Sequence, residues 1–220
     1  SILNVYWKNH KIKAGRLAVI SFFSYICTAM EEKKILDINT VNDYVDFIGA
    51  PRQHPHINVV DLSGMNPVPR SRDHYHIYGL LMLDNTESPL TNDINRSSEG
   101  GGTLMFSAPG CTTGIDNGLK LKLHGWLLLF DPTLIQNTPL GRRLGDFHFL
   151  AYEHQDALRL TPAESNALLS CVRLLRRELQ QPTVAAEADN QVVLDYLQLI
   201  LDYCQCFYNR QFKQDTDTHS

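Results

Sequence analysis

The sequence predicts a mainly β protein with α: a β-barrel or sandwich followed by an antiparallel two-helix hairpin. Three observations carry this reading. From Asp37 to Tyr152, short β-like runs alternate with turn residues. After Leu160 the apolar period lengthens from two residues to about 3.6. The composition is that of a globular chain, 43% hydrophobic and 20% charged over 220 residues, which excludes bulk disorder. No apolar run reaches the ~18–20 residues of a membrane span, so a polytopic membrane protein is excluded. A net charge of −4 argues against this chain gripping nucleic acid alone, because phosphate contacts need clustered Lys and Arg.

Residues 1–29 differ from the rest. Lys8, Lys11, Lys13 and Arg16 precede the apolar stretch Leu17 to Ala29. A basic region before such a stretch has the form of a secretory signal. The other readings are an upstream extension with Met30 as the natural start, or a packed helix.

Residues 30–160 form the β part. Val59-Val60, His74 to Leu83, Thr103 to Phe106 and Leu121 to Phe130 are the strand candidates. Ser63-Gly64, Asn66-Pro67, Glu99 to Gly102, Pro109-Gly110 and Asn117-Gly118 break them. Lys120, Lys122, His124 and Trp126 alternate with Leu121, Leu123, Gly125 and Leu127, which places the two sets on opposite faces of one strand.

Residues 161–214 form the helical part. Thr161-Pro162-Ala163-Glu164 is a capping box with proline at the first helical position. Leu168, Val172, Leu175 and Leu179 make one apolar stripe, opposite Arg173, Arg176 and Arg177. Gln181-Pro182-Thr183 stops this helix. A second helix spans about Ala185 to Arg210, with Val193, Tyr196 or Leu197, Ile200, Tyr203 or Cys204, and Phe207 along one side. A short turn between two such helices implies an antiparallel hairpin.

The histidines are the most suggestive chemistry. His54-Pro55-His56 and His74-Tyr75-His76 are both H-x-H. On a strand that spacing puts two rings on one face, about 6.5–7 Å apart, which suits a metal. No acid follows His76 before Asp84, and Cys111, Thr112 and Thr113 stand where a further histidine ligand would fall. Two sure ligands make a poor site, so no metal is expected. His124 and Trp126 suit stacking on a sugar or closing an apolar pocket. Cys204 and Cys206 point apart on a helix and make no ligand pair. Five cysteines without C-x-x-C argue against a disulfide framework and for a reducing compartment. The glycine run Gly100–Gly102 lacks the Lys-Ser/Thr of a P-loop, and neither G-x-S-x-G nor H-E-x-x-H occurs.

Several runs together carry a family resemblance. They are Gly102-Thr103-Leu104-Met105-Phe106-Ser107-Ala108-Pro109-Gly110, Gly125-Trp126 through Asp131-Pro132 to Ile135, and Thr138-Pro139-Leu140-Gly141. Tyr152-Glu153, Ala157 to Thr161 with Glu164, and Phe207 to Phe212 complete the set. In this order and spacing they resemble the N-terminal regulatory domain of AraC-type transcription regulators, over about Ile38 to Phe212. The resemblance implies a cupin-like barrel that holds a small effector and a helical hairpin that makes a homodimer. It implies DNA binding through a separate C-terminal domain with two helix-turn-helix units. Only Asp215 to Ser220 follow Gln214, so the expectation is the sensor and dimerisation part without its DNA-binding domain.

The function expected is therefore effector sensing and dimerisation in a cytoplasmic bacterial regulator, with no enzymatic activity, cofactor or membrane partner. Ligand contacts are expected from Arg72, His74, His76, Tyr78, His124 and Trp126, with the effector a sugar or similar small molecule. Dimer contacts are expected from Leu194, Leu197, Leu201 and Cys204, with Leu168 and Val172 as the alternative face. A metal-dependent cupin enzyme of isomerase or dioxygenase type and an exported carbohydrate-binding protein are the alternatives.

Overall fold

The computed structural model describes residues 35–84, 101–114, 118–150, 157–181 and 190–212. All belong to one compact unit that starts at Ile35. The basic and apolar run of residues 1–29, the Tyr152-Glu153 segment and the Pro182-Thr183 turn lie outside the described residues.

The described elements in chain order are β1 (Ile35–Ile38), α1 (Val41–Ile48), β2 (Ile57–Asp61), β3 (Val68–Pro69), β4 (Arg72–Tyr75) and β5 (Tyr78–Leu83). Then follow β6 (Thr103–Ser107), β7 (Thr112–Gly114), β8 (Lys120–Leu121), β9 (Gly125–Phe130), α2 (Pro132–Ile135) and α3 (Pro139–Arg142). The chain continues with β10 (Leu158–Arg159), α4 (Pro162–Leu179) and α5 (Gln191–Phe212). The fold is mixed α and β. A five-stranded sheet of order β10-β6-β5-β9-β2 is antiparallel throughout. A three-stranded sheet of order β1-β4-β7 pairs β1 with β4 in parallel and β4 with β7 antiparallel. β3 and β8 form a two-stranded ladder. No closed barrel forms among the described residues.

Strict alternation on the five-stranded sheet explains the two cores. Leu80, Met82, Leu104, Trp126, Leu128 and Phe130 share one face and pack with Leu168, Leu175, Leu197 and Ile200 of α4 and α5. Leu81, Leu83, Leu127, Leu129, Met105 and Val60 share the other face and pack with Val41, Val45, Ile48 and Tyr75. Both faces are apolar because both are covered, so β9 is buried from end to end.

Two expected strands are each divided. The run His74 to Leu83 breaks at His76-Ile77 into β4 and β5, which belong to different sheets. The run Leu121 to Phe130 breaks before Gly125, whose φ of 139° ends the alternation expected from Lys120 to Leu127. An alanine Cβ there would lie 2.0 Å from the Met82 carbonyl oxygen. Reading strands and turns alone from Asp37 to Tyr152 misses α1. Thr40 caps it, accepting from the Asp43 amide while the Asp43 carboxylate accepts from the Thr40 amide, and Gly49 ends it at φ 73°. Thr40-x-x-Asp43 with Val41, Val45 and Ile48 at helical spacing is the signal for this helix.

α4 has the expected boundaries and cap. Leu168, Val172, Leu175 and Leu179 are all buried. On α5 the buried positions are Val193, Leu197, Ile200, Leu201, Cys204 and Phe207. α4 and α5 share one core. The C-terminal end of α5 sits at the beginning of α4: Arg210 donates to both Glu164 carboxylate oxygens, at 2.6 and 3.0 Å. Arg210 also donates to the Arg159 carbonyl, and the Arg159 amide donates to Gln211.

Candidate functional site

A cavity of about 160 Å³ lies on the face of the five-stranded sheet that carries Leu81, Leu127 and Leu129. Its size follows from the strand chemistry. Gly79 and Ser107, paired across β5 and β6, are small residues beside Leu81, Met105 and Leu129 on this face. Tyr44 and Ile48 of α1 and Tyr75 of β4 wall it on the opposite side, and Phe106, Phe149 and Phe212 extend it along the edge. The lining is largely apolar, with Ser107, the Cys111 thiol and the phenols of Tyr44, Tyr75 and Tyr208 as polar groups.

The Tyr44 and Tyr75 phenols belong to a polar cluster with Asp73. Tyr75 donates to Asp73 at 2.9 Å, and the Tyr44 and Tyr75 rings lie 5.9 Å apart. Burial, followed by the nearby Asp73 charge, pushes the Tyr44 phenol up to about 12, partly offset by its bond to Tyr75. Burial also raises Tyr75, with Tyr44 and Asp73 adding to it. Asp73 is raised by burial against the bonds it accepts from Ser71 and Tyr75. Burial keeps both phenols neutral, and the Tyr75 proton is committed to Asp73. Such a cavity fits a small apolar molecule with one hydrogen-bonding group.

A second constellation lies on the three-stranded sheet. Asp37 is the register partner of His74 in the parallel β1–β4 pair. A carboxylate oxygen of Asp37 and one ring nitrogen each of His74 and His76 lie within 4.8 Å of one another. The His74 and His76 rings meet edge to face at 4.8 Å. His74 Nδ1 is 2.7 Å from the Thr112 hydroxyl of β7. The His76 amide donates to the Ile38 carbonyl at 2.9 Å, which fixes its backbone against β1.

The structure places none of the six expected ligand contacts on the cavity. Arg72 and His76 are exposed and His74 half-buried, all on or beside β4. Tyr78 points to the helix side, stacked on Phe130 at 4.8 Å. Trp126 also faces the helices, beneath the guanidinium groups of Arg173 and Arg176 at 5.9 and 5.3 Å from its ring. His124 precedes β9 and is exposed, so it does not share a face with Trp126. The expected pocket treats both faces of the sheet as one interior, whereas the helices take one of them.

The expected dimer contacts are also used within the chain. Leu197, Leu201 and Cys204 have no exposed surface, Leu168 and Val172 are buried, and Leu194 packs at the edge of the same core. These side chains hold α4 and α5 to the sheet and leave little for a second copy. Val192, Leu199 and Leu174 are the exposed large apolar residues of the two helices.

Sequence reasoning missed Asp37 because its partner lies 37 residues away across a parallel pair. It missed Tyr44 because α1 was not anticipated. The four described cysteines are free: Cys171 and Cys204 are buried, Cys111 and Cys206 exposed. No helix among the described residues is long and apolar enough to cross a membrane. No family model, curated protein or solved structure gives a significant match to the chain.

Proposed function

We propose that this chain is the effector-sensing and dimerisation domain of an AraC-type bacterial transcription regulator. The observation that carries the sensor role is the apolar cavity between the five-stranded sheet and the α1–β4 wall. In this reading the two larger sheets are the halves of a cupin-like barrel, and α4 and α5 are its antiparallel hairpin. The contact between Arg210 and Glu164 supports that hairpin, because it joins opposite ends of the two helices. The ordered resemblance from Gly102 to Phe212 supports the family. DNA is read by a domain other than this one.

The effector is a small, mostly apolar molecule anchored through the Ser107 hydroxyl rather than a sugar. A sugar would leave several hydroxyls unpaired against Leu and Phe side chains. Effector binding shifts the regulator only if its two states bind the molecule differently. The walls contributed by α1 and by the end of α5 are the parts positioned to register the difference.

The test is a thermal-shift screen of small aromatic and branched apolar compounds, run on the wild type and on Met105→Trp, which fills the cavity. At 100 times Kd a ligand stabilises by about 2.7 kcal/mol. The expected result is stabilisation of the wild type and none of the filled variant. No stabilising compound, or equal stabilisation of both proteins, rejects the sensor role.

A further inference from the structure

We infer that Asp37, His74 and His76 form a binding site for a divalent transition metal, which clamps β1 to β4. Two imidazoles and one carboxylate are the donor set of zinc, nickel and iron(II), and they disfavour magnesium and calcium, which take all-oxygen shells. The three ligand atoms already lie within 4.8 Å of one another. Around a tetrahedral zinc they would be ~3.3 Å apart, given Zn–N and Zn–O bonds of about 2.0–2.1 Å. Asp37 and His76 are exposed and His74 is only half-buried, so side-chain rotation closes that gap without moving the backbone.

The surroundings are prepared for such an ion. The Thr112 hydroxyl engages Nδ1 of His74 and leaves Nε2 as the nitrogen it does not occupy. Holding one ring nitrogen in this way orients a metal-ligating histidine. The parallel register sets Asp37 directly beside His74, and the His76 amide bond to Ile38 keeps the second ring next to β1. Three protein ligands leave at least one coordination position for water, so the ion is exchangeable rather than sealed in.

The site is separate from the cavity but mechanically adjacent to it. Tyr75 lies between His74 and His76, points the other way along the strand, and lines the cavity. α1 follows β1 after two residues and contributes Tyr44 and Ile48 to the same cavity. A metal joining β1 to β4 therefore holds two cavity walls in fixed relation.

The test is calorimetric titration of chelator-treated full chain with Zn²⁺ and with Ni²⁺, with Mg²⁺ for comparison. The wild type is compared with Asp37→Asn, with the triple variant Asp37→Asn/His74→Gln/His76→Gln, and with His148→Gln as control. The triple variant should bind one equivalent less Zn²⁺ than the wild type and the control. Asp37→Asn should weaken that equivalent at least ~10-fold, in line with loss of one ligand. Saturating Zn²⁺ should raise the melting midpoint of the wild type by about 5 °C or more, and that of the triple variant by less. A triple variant that takes up as much Zn²⁺ as the wild type, including none, overturns the site. Unaltered affinity in Asp37→Asn overturns the clamp. Matching circular dichroism of the metal-free proteins separates a lost ligand from a lost fold.

Discussion

Glu164 links two scales of the helical layer through one carboxylate. It closes the α4 capping box by accepting from the Thr161 amide at 2.8 Å, and it receives Arg210 from the end of α5. Burial pulls its pKa upward, but the Thr161 and Arg210 bonds outweigh burial and hold it below its ordinary value of 4.5. The folded-state value is therefore the lower one. The stability it contributes is present above pH 4.5 and is lost as pH falls through its depressed value. Glu164→Gln should cost about 1 kcal/mol at pH 7 and flatten the acid limb of the stability curve, measured by urea unfolding at pH 7 and through the acid range. Gly125 is a second decisive residue, because its backbone conformation and the nearby Met82 carbonyl both exclude a Cβ. Gly125→Ala should destabilise by roughly 3 kcal/mol or more, read from the shift in urea midpoint. Arg173 and Arg176, by contrast, are not simply the solvent face of α4. Their stacking over Trp126 extends the helix–sheet contact beyond the leucine stripe.

At the scale of elements, α4 and α5 act as the second layer of the five-stranded sheet. Leu175 and Leu197 are fully buried in their common core with Leu80, Trp126 and Leu128. Leu175→Ala should cost about 2–5 kcal/mol in equilibrium unfolding, the range for a leucine removed from a close-packed core. Leu174→Ala, one residue away but exposed, should cost under about 0.5 kcal/mol. That contrast checks the orientation of the helix directly. α4 was legible in the sequence in full, since a capping box and a four-three-four apolar stripe are local signals. α1 carries an equally local box at Thr40 and Asp43. It was overlooked because it is eight residues long and set among strands. β4 and β5 read as one strand because His76-Ile77 contains no glycine or proline to mark the bend.

At the scale of the whole molecule, three consequences follow from both sheet faces being covered. The cavity belongs to the face opposite the helices, the Asp37–His74–His76 cluster to the far side of β4, and any surface left for a second copy to what α4 and α5 leave exposed. Val192 and Leu199 are seven residues apart on α5 and share a stripe, with 43% and 42% of their surface open. In the proposed regulator this stripe meets its copy, in place of Leu197, Leu201 and Cys204. Leu199→Arg should shift sedimentation at tens of micromolar from dimer to monomer while the circular dichroism stays that of the folded domain. Leu201→Arg should instead unfold the domain. A wild type that sediments only as monomer rejects the dimer.

The sequence by itself determined the β part followed by two amphipathic helices, the boundaries of α4 and most of the helical core. These rest on periodicity and capping, which act over a few residues. It also showed that His74 and His76 share a face, since alternation along a strand is local too. Only the tertiary structure decided which sheet face the helices occupy. That choice moved Tyr78 and Trp126 out of the expected pocket and brought Tyr44, Tyr75 and Ser107 into the cavity. Only the parallel pairing of β1 with β4 placed Asp37 beside the two histidines. Contacts between strands distant in the chain depend on how layers cover one another's apolar faces, and no spacing within a single strand encodes that.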